Sequence, residues 1–375
     1  MMSKIAFLNI DYSMGGGVER VTSDLINMFL KQGETVMDMF TVSQRNQETA
    51  VEFSKSLLVH VIGPLKSESE KQNFVEKLVD RKIDVLIYQA DNMSIALSVL
   101  ECARKAGVKA IGHYHGSPYA YLQKYPDAQH GNLAKILFSK IVFPFKKNKL
   151  KKFLTLSEAV VCVSQRVRKE LKDLFPNHDF PIYSILNPLR FEDEEYPGTV
   201  KKNIITLVSR LEKAHKNAFL AATAWSKIAH QHKDWTLRFL GTGSLENEMK
   251  SYFSSLEIEN VEFLGFKREV GRLLAESSIG ISTSNCEGFS MAVLEYILTG
   301  NAVVTTDSHG GVHDMIEDGR TGIVVQRNSA EALSAGIARL INDSEERDFF
   351  AKNALSEVKT MYGADLFLQW KKLVD

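Results

Sequence analysis

Two carboxylates eight positions apart, Glu287 and Glu295, frame a stretch in which acids, a glycine and an apolar helix meet. It runs Ser282-Thr-Ser-Asn-Cys-Glu-Gly-Phe-Ser290 after the apolar run Ile279-Gly-Ile281, then continues as Met291 to Thr299 and stops at Gly300. The pattern reads as a buried strand, a glycine-bearing loop and a compact helix. An acid in a mostly apolar helix is costly unless it is paired, and an ionised carboxylate only accepts hydrogen bonds, so two of them suit hydroxyl-rich ligand groups on either side of a phosphate. Between them, the amides from Phe289 through Ser290 and Met291 to Ala292 start the helix and would face an anion such as a phosphate. Glu295 lies about 6 Å beyond that end at about 1.5 Å per residue, so one ligand can touch both acids. The plainer reading makes Glu287 a solvated loop residue and Glu295 a core-edge residue paired with a lysine.

Other residues could serve the same ligand. Ser209-Arg-Leu-Glu-Lys-Ala-His-Lys-Asn217 follows the apolar run Ile204 to Val208, so Arg210 and Lys216 project past a strand end. Arg makes forked contacts and Lys acts as a point charge, and together they can neutralise a diphosphate; taken alone, both read as surface charges. Met14-Gly-Gly-Gly-Val-Glu-Arg-Val21 follows the buried run Ile5 to Ile10, and Gly16 and Gly17 let a backbone approach a ligand closely. Arg20 stands where a dinucleotide fingerprint needs its third glycine, so that fingerprint fails. His113 and His115 end the stretch Lys109 to Gly116, where an imidazole can donate to a sugar hydroxyl or a phosphate oxygen.

The elements that must hold these residues alternate. Strands are expected over 35–42, 57–62, 84–88, 109–113 and 159–164, with helices over 68–81, 93–106 and 165–174, the last capped by Ser164. A second series follows: strands over 204–208, 235–240, 260–266, 302–306 and 322–325, and helices over 219–231, 245–255, 330–341 and 345–361. Short connections between strand and helix mean parallel, doubly wound sheets, so the fold class is α/β. At 375 residues the chain is too long for one ordinary core. Domains are expected over 1–190 and 204–360, joined by a polar hinge over 191–203 that holds Glu192-Asp-Glu-Glu195, Pro197 and Gly198.

Formal net charge is zero, so no global field draws the protein to nucleic acid. Cys102, Cys162 and Cys286 are far apart with no zinc or redox spacing and read as reduced core thiols. The start does not read as a signal peptide and no run reaches the roughly 20 apolar residues of a spanning helix, so a cytoplasmic location is expected. Lys135 to Phe153 combines large apolar residues with many lysines and no acid. Such a stretch can lie on the anionic inner face of the cell membrane, or be a solvated lysine face over a core helix.

In this order, over nearly the whole chain, the motifs resemble those of the retaining glycosyltransferases of family 4, which have the GT-B fold. Glu287-x7-Glu295 with Gly288-Phe289 is similar to their E-x7-E signature, Gly16-Gly17-Val-Glu-Arg20 to their glycine loop, and Arg210 and Lys216 to their phosphate-binding cations. The resemblance implies two Rossmann-like domains facing a cleft, a closing helix over 361–375 that crosses back to the first domain, and His115 near the acceptor and the transferred sugar. It further implies that Glu295 holds the ribose and that Glu287 orients a sugar hydroxyl without attacking. The leaving phosphate would itself take the acceptor proton, and neither a metal nor another cofactor is called for, since no D-x-D stands at a strand end. The donor is expected to be a UDP-sugar, with a GDP-sugar second, and the acceptor a glycan that is lipid-linked or part of a surface polysaccharide. His215-Lys-Asn217 departs from the commoner Lys-Gly, Asn301 stands where Pro is common, and Asp314 where Glu is usual. A sugar-nucleotide epimerase of the same fold and a catalytically silent partner subunit remain as alternatives.

Overall fold

The computed structural model describes residues 3–13, 16–33, 36–45, 57–90, 92–122, 133–189, 196, 199–213, 215–267 and 270–375, with side chains for all of these but 36–37 and 133–141. Glu192 to Glu195, Pro197 and Gly198 of the expected hinge lie outside the described residues, as do Gly15 and the side chains of Lys135 and Lys140. The chain divides into two compact units, Met1–Arg190 with Ala364–Asp375, and Phe191–Gly363.

The first unit carries a seven-stranded parallel sheet in the order β3-β2-β1-β4-β5-β6-β7. Its strands are β1 (Ile5–Asp11), β2 (Val36–Ser43), β3 (Leu58–Val61), β4 (Val85–Gln89), β5 (Lys109–Tyr114), β6 (Ala159–Cys162) and β7 (Ile182–Ser184). Helices α1 (Gly17–Lys31), α2 (Glu68–Asp80), α3 (Met93–Ala106), α4 (Pro118–Leu122), α5 (Leu133–Leu156) and α6 (Gln165–Leu174) alternate with them. Every residue of β4 is buried, as a strand covered on both faces must be. Side chains alternate with period two: Leu8, Leu86 and Tyr88 pack with Phe74, Val99 and Phe153 of α2, α3 and α5. Phe7, Val85 and Ile87 point the other way, onto Phe29 of α1 and onto Trp370 and Val374 of the closing helix, Leu366–Val374. The local signals act as their chemistry predicts. Ser67 and Glu70 form a capping box on α2, and Ser164 accepts from the Val167 amide at 3.1 Å on α6.

The second unit carries a six-stranded parallel sheet in the order β10-β9-β8-β11-β12-β13. Its strands are β8 (Lys202–Val208), β9 (Thr236–Leu240), β10 (Val261–Phe263), β11 (Ser277–Ser282), β12 (Ala302–Thr306) and β13 (Ile323–Val325). The helices are α7 (Phe219–Ser226), α8 (Glu246–Ser255), α9 (Gly271–Glu276), α10 (Met291–Leu298), α11 (Ala330–Asn342) and α12 (Ser344–Met361). One expected helix is shorter. The helix expected over 219–231 ends at Ser226, where the backbone passes into turns with the Ile228 amide on the Trp225 carbonyl and the Gln231 amide on the Ile228 carbonyl, and Asn260 Nδ2 lies within 3.3 Å of the carbonyls of Ala229, His232 and Trp235. Residues 307–316 hold a single 3-10 turn, Gly311–Asp314.

Candidate active site

In an open α/β sheet, ligands bind beyond the carboxyl ends of the strands where the strand order reverses. In the second unit that point lies between β8 and β11, which pair in parallel, with Ile205 opposite Ile279. Lys216 and Arg210 follow β8, and Glu287 follows β11, so the topology alone brings three of the expected residues to one sheet edge.

Helix α10 is seated on β11 by an exchange of size. A Cβ added to Gly280 would lie 2.3 Å from the Tyr296 ring, so only a glycine lets the helix lie this close. The buried Tyr296 hydroxyl accepts from the Val208 amide at 2.6 Å and donates to the Ile281 carbonyl at 3.2 Å, tying α10 to both strands of the switch point. At its far end the helix stops at Gly300, in the left-handed region with φ +72°, and Lys201 Nζ donates to the Thr299 carbonyl at 2.8 Å. At the near end Ser290 is the N-cap, and its own side chain makes no capping bond. Phe289 and Ser290 are buried, Met291 is half-buried, and Glu295 is 5% exposed.

Lys216 and Glu287 are in direct contact. Lys216 Nζ donates to Glu287 Oε1 at 2.6 Å, with side-chain exposures of 28% and 13%. Ser284 Oγ donates to the same oxygen, also at 2.6 Å. Backbone bonds lock the surrounding loops: the Asn285 amide donates to the His215 carbonyl at 2.8 Å, the Glu287 amide to the His309 carbonyl at 2.9 Å, and the Gly311 amide to the Gly288 carbonyl at 2.9 Å. Gly310, at φ +97°, passes so close that a Cβ there would overlap the Glu287 carbonyl, which makes glycine obligatory. Arg210 points outward, 69% exposed in its side chain, with Glu212 at 3.3 Å as its ion-pair partner. Cys286 departs from expectation: Cys102 and Cys162 are core thiols, whereas Cys286 is half-buried with Sγ 3.6 Å from His215 Nδ1, because the loop that carries it runs along the surface of the sheet edge.

In the first unit the strand order reverses between β1 and β4. Gly16, the N-cap of α1, and Gly17 follow β1. Nothing lies within 4 Å of a Cβ built on Gly17, so the unit's own packing does not demand that glycine. His115 Nε2 lies 2.5 Å from Gln89 Oε1, and its ring centroid is 4.1 Å from that of His113. Burial pushes the His115 pKa down to about 3 and holds that of His113 well below the usual range, with the neighbouring His115 a lesser cause for the latter. A neutral imidazole carries one proton, so one ring nitrogen of His115 donates and the other accepts. His113 itself is 1% exposed, edge-on to Trp370 at 5.1 Å, and belongs to the interior.

The basic stretch falls on α5, where Leu150, Phe153 and Leu154 are buried and Phe145 is 70% exposed. Its described lysines turn largely onto the protein: Lys146 bonds the Tyr121 carbonyl, Lys149 the Ser94 hydroxyl and Lys152 the Glu101 carboxylate, while Lys147 lies over the Phe175 ring. No described helix is long and apolar enough to cross a membrane. Among the described residues no group of three or more His, Cys, Asp or Glu gathers to hold a metal ion. Two residues of the site arrangement escape the motif reading. Ser284 lies inside the motif stretch but looks like one more loop serine, and Gln89 is visible only as a polar residue closing the apolar run of β4.

Comparison with known proteins adds independent findings. A family model described as Glycosyltransferase Family 4 matches residues 15–190, and one described as Glycosyl transferases group 1 matches residues 190–357. An uncharacterized glycosyltransferase of Haemophilus influenzae is 23% identical over 357 residues, 92% of each chain. The N-acetylgalactosamine-N,N'-diacetylbacillosaminyl-diphospho-undecaprenol 4-alpha-N-acetylgalactosaminyltransferase of Campylobacter jejuni is 27% identical over 161 residues, 43% of each. Among solved structures, HepE of Anabaena in complex with UDP and glucose shares the fold with a TM-score of 0.75 at 17% identity, over 99% of this chain and 98% of that one.

Proposed function

The chain belongs to the glycosyltransferases of family 4 type, with the GT-B fold, and on that premise we propose that it moves a hexose or N-acetylhexosamine from a UDP-sugar to a glycan acceptor with retention of configuration. The acceptor in this reading is lipid-linked or part of a surface polysaccharide. Support comes from the Campylobacter relative, whose name specifies a diphospho-undecaprenol acceptor, and from HepE, which holds UDP and glucose. A GDP-sugar is the second choice, because nothing identified on the chain reads the base. Work on a lipid-linked acceptor would bring the protein to the cytoplasmic face of a membrane, with Lys135 to Phe153 and the exposed Phe145 as the contact.

The single observation that carries the reading is the direct contact of Lys216 with Glu287 just ahead of the start of α10. Arg210, Lys216 and the amides of Phe289, Ser290 and Met291 stabilise the charge that develops on the departing diphosphate, and such electrostatic stabilisation usually contributes more to the rate than any other single effect. The bond from the anomeric carbon to the phosphate oxygen breaks, and a bond to the acceptor oxygen forms on the same face. The freed phosphate oxygen takes the acceptor's proton, so neither a protein nucleophile nor a metal is called for. Glu287 orients a hydroxyl of the transferred sugar and Glu295 holds the ribose. On the first unit, Gly16 and Gly17 are assigned to the donor and His115 to the sugar and acceptor.

A thermal-shift panel of UDP-, GDP- and ADP-sugars tests the donor, since a ligand that binds only the native state raises Tm. Glu295→Ala should lower donor affinity about tenfold, whereas Glu287→Ala should lower kcat more than affinity. Equal and negligible effects from both variants would defeat the assignment.

A further inference from the structure

Glu287 carries two donors on one oxygen: Lys216 Nζ and Ser284 Oγ both reach Oε1 at 2.6 Å. The two donors are held very differently. Ser284 is 4% exposed, and its loop is anchored without help from Glu287. Its carbonyl accepts from Thr306 Oγ1 at 2.8 Å, and the next amide, that of Asn285, donates to the His215 carbonyl at 2.8 Å. Lys216 reaches Oε1 through a flexible four-carbon stem and is free to turn. A diphosphate at the start of α10 offers that ammonium more negative charge than one carboxylate does. Glu287 cannot follow the lysine towards an anion of its own sign.

We propose that Ser284 is the positioning residue of Glu287, holding Oε1 with and without donor, and that Lys216 exchanges Glu287 for the donor's diphosphate. Glu287 is thus the counter-ion of Lys216 in the empty site, and its charge lowers nucleotide affinity until the exchange frees it to meet the sugar. The inference rests on the donor-site reading given above.

Calorimetric titration of the full-length protein with UDP, or with GDP where that is the nucleotide bound, reads the exchange. Glu287→Gln keeps the shape and removes the charge, and should bind the nucleoside diphosphate about three- to tenfold more tightly. In a Lys216→Met background the gain should shrink, because the part of it that passes through the lysine is gone. Ser284→Ala should leave nucleotide affinity within about twofold of wild type. In steady-state release of nucleotide from the sugar donor it should lower kcat about tenfold at unchanged KM. Unchanged or weaker binding by Glu287→Gln overturns the exchange, as does a tightening that is undiminished without Lys216. A Ser284→Ala protein that loses nucleotide affinity along with turnover makes the serine a strut of the loop and overturns its positioning role. Lys216→Met alone separates the two levels: nucleotide affinity that survives it sinks the donor-site reading and the inference with it, whereas affinity lost there with no gain in Glu287→Gln sinks the exchange alone.

Discussion

Lys216 and Glu287 are read from the sequence as contacts to different parts of one ligand, a phosphate and a sugar, yet in the folded chain they neutralise each other. Spacing along a chain shows which residues reach a site but not which of them bond in the ligand's absence, since that depends on distances between two separate loops. His115 teaches the same lesson with protons. Its motif marks it as a site residue, but only packing against Gln89 and His113 shows that it stays neutral. The unfolded chain protonates this imidazole below the usual 6.5, whereas the folded protein does not until about 3, so acid favours the unfolded state. Stability should fall as pH drops from about 6.5 towards 3, by up to about 3 kcal/mol at pH 4 from this group. His115→Gln should show a shallower loss in urea melts between pH 7 and pH 4.5, and an unaltered slope would contradict the neutral imidazole.

At the scale of the element, α10 matters as a platform. Its sequence is apolar enough to read as a helix, but what fixes its height above the sheet is Gly280 beneath the Tyr296 ring. Gly280→Ala should cost about 1–3 kcal/mol through overpacking and should weaken nucleotide binding as the helix start is displaced. Tyr296→Phe keeps the ring but leaves the Val208 amide without its partner at 2.6 Å, at about 1–3 kcal/mol. Denaturant melts with parallel UDP titration separate the two, because only the first moves α10 bodily. The turns that follow α7 likewise depend on a distant residue: Asn260, more than thirty residues beyond the last turn of α7, ties down the carbonyls of Ala229, His232 and Trp235.

For the whole molecule, the chain's end belongs to its beginning. Trp370 is 1% exposed and shares a core cluster with Phe7 and Phe29. Trp370→Ala should destabilise the first unit by about 3–5 kcal/mol. Hydrogen exchange should quicken in β1 and α1 while the second unit keeps its protection. The proposed membrane contact belongs to one stretch, Lys135 to Phe153, because the molecule as a whole carries no net charge. Sedimentation with vesicles of phosphatidylcholine containing anionic phosphatidylglycerol should pull the protein down, less so as salt rises. A Phe145→Ser variant should bind several-fold more weakly, and equal recovery with neutral vesicles would remove charge from the account.

The order of apolar runs, glycine loops and caps sufficed to determine two doubly wound sheets, and the chemistry of the motif residues called for hydroxyl-rich groups on either side of a phosphate, which the resemblance to family 4 reads as a sugar nucleotide. Both are local properties, written in periodicity and in residue type over a few turns of chain. Only the tertiary structure decided that Lys216 faces Glu287, that Ser284 shares the same oxygen, that Cys286 leaves the core and that His115 is held by Gln89. Ser284 and Glu287 share one loop, but the other meetings join segments from different strands, and they exist only once the sheet order has set one strand end beside another.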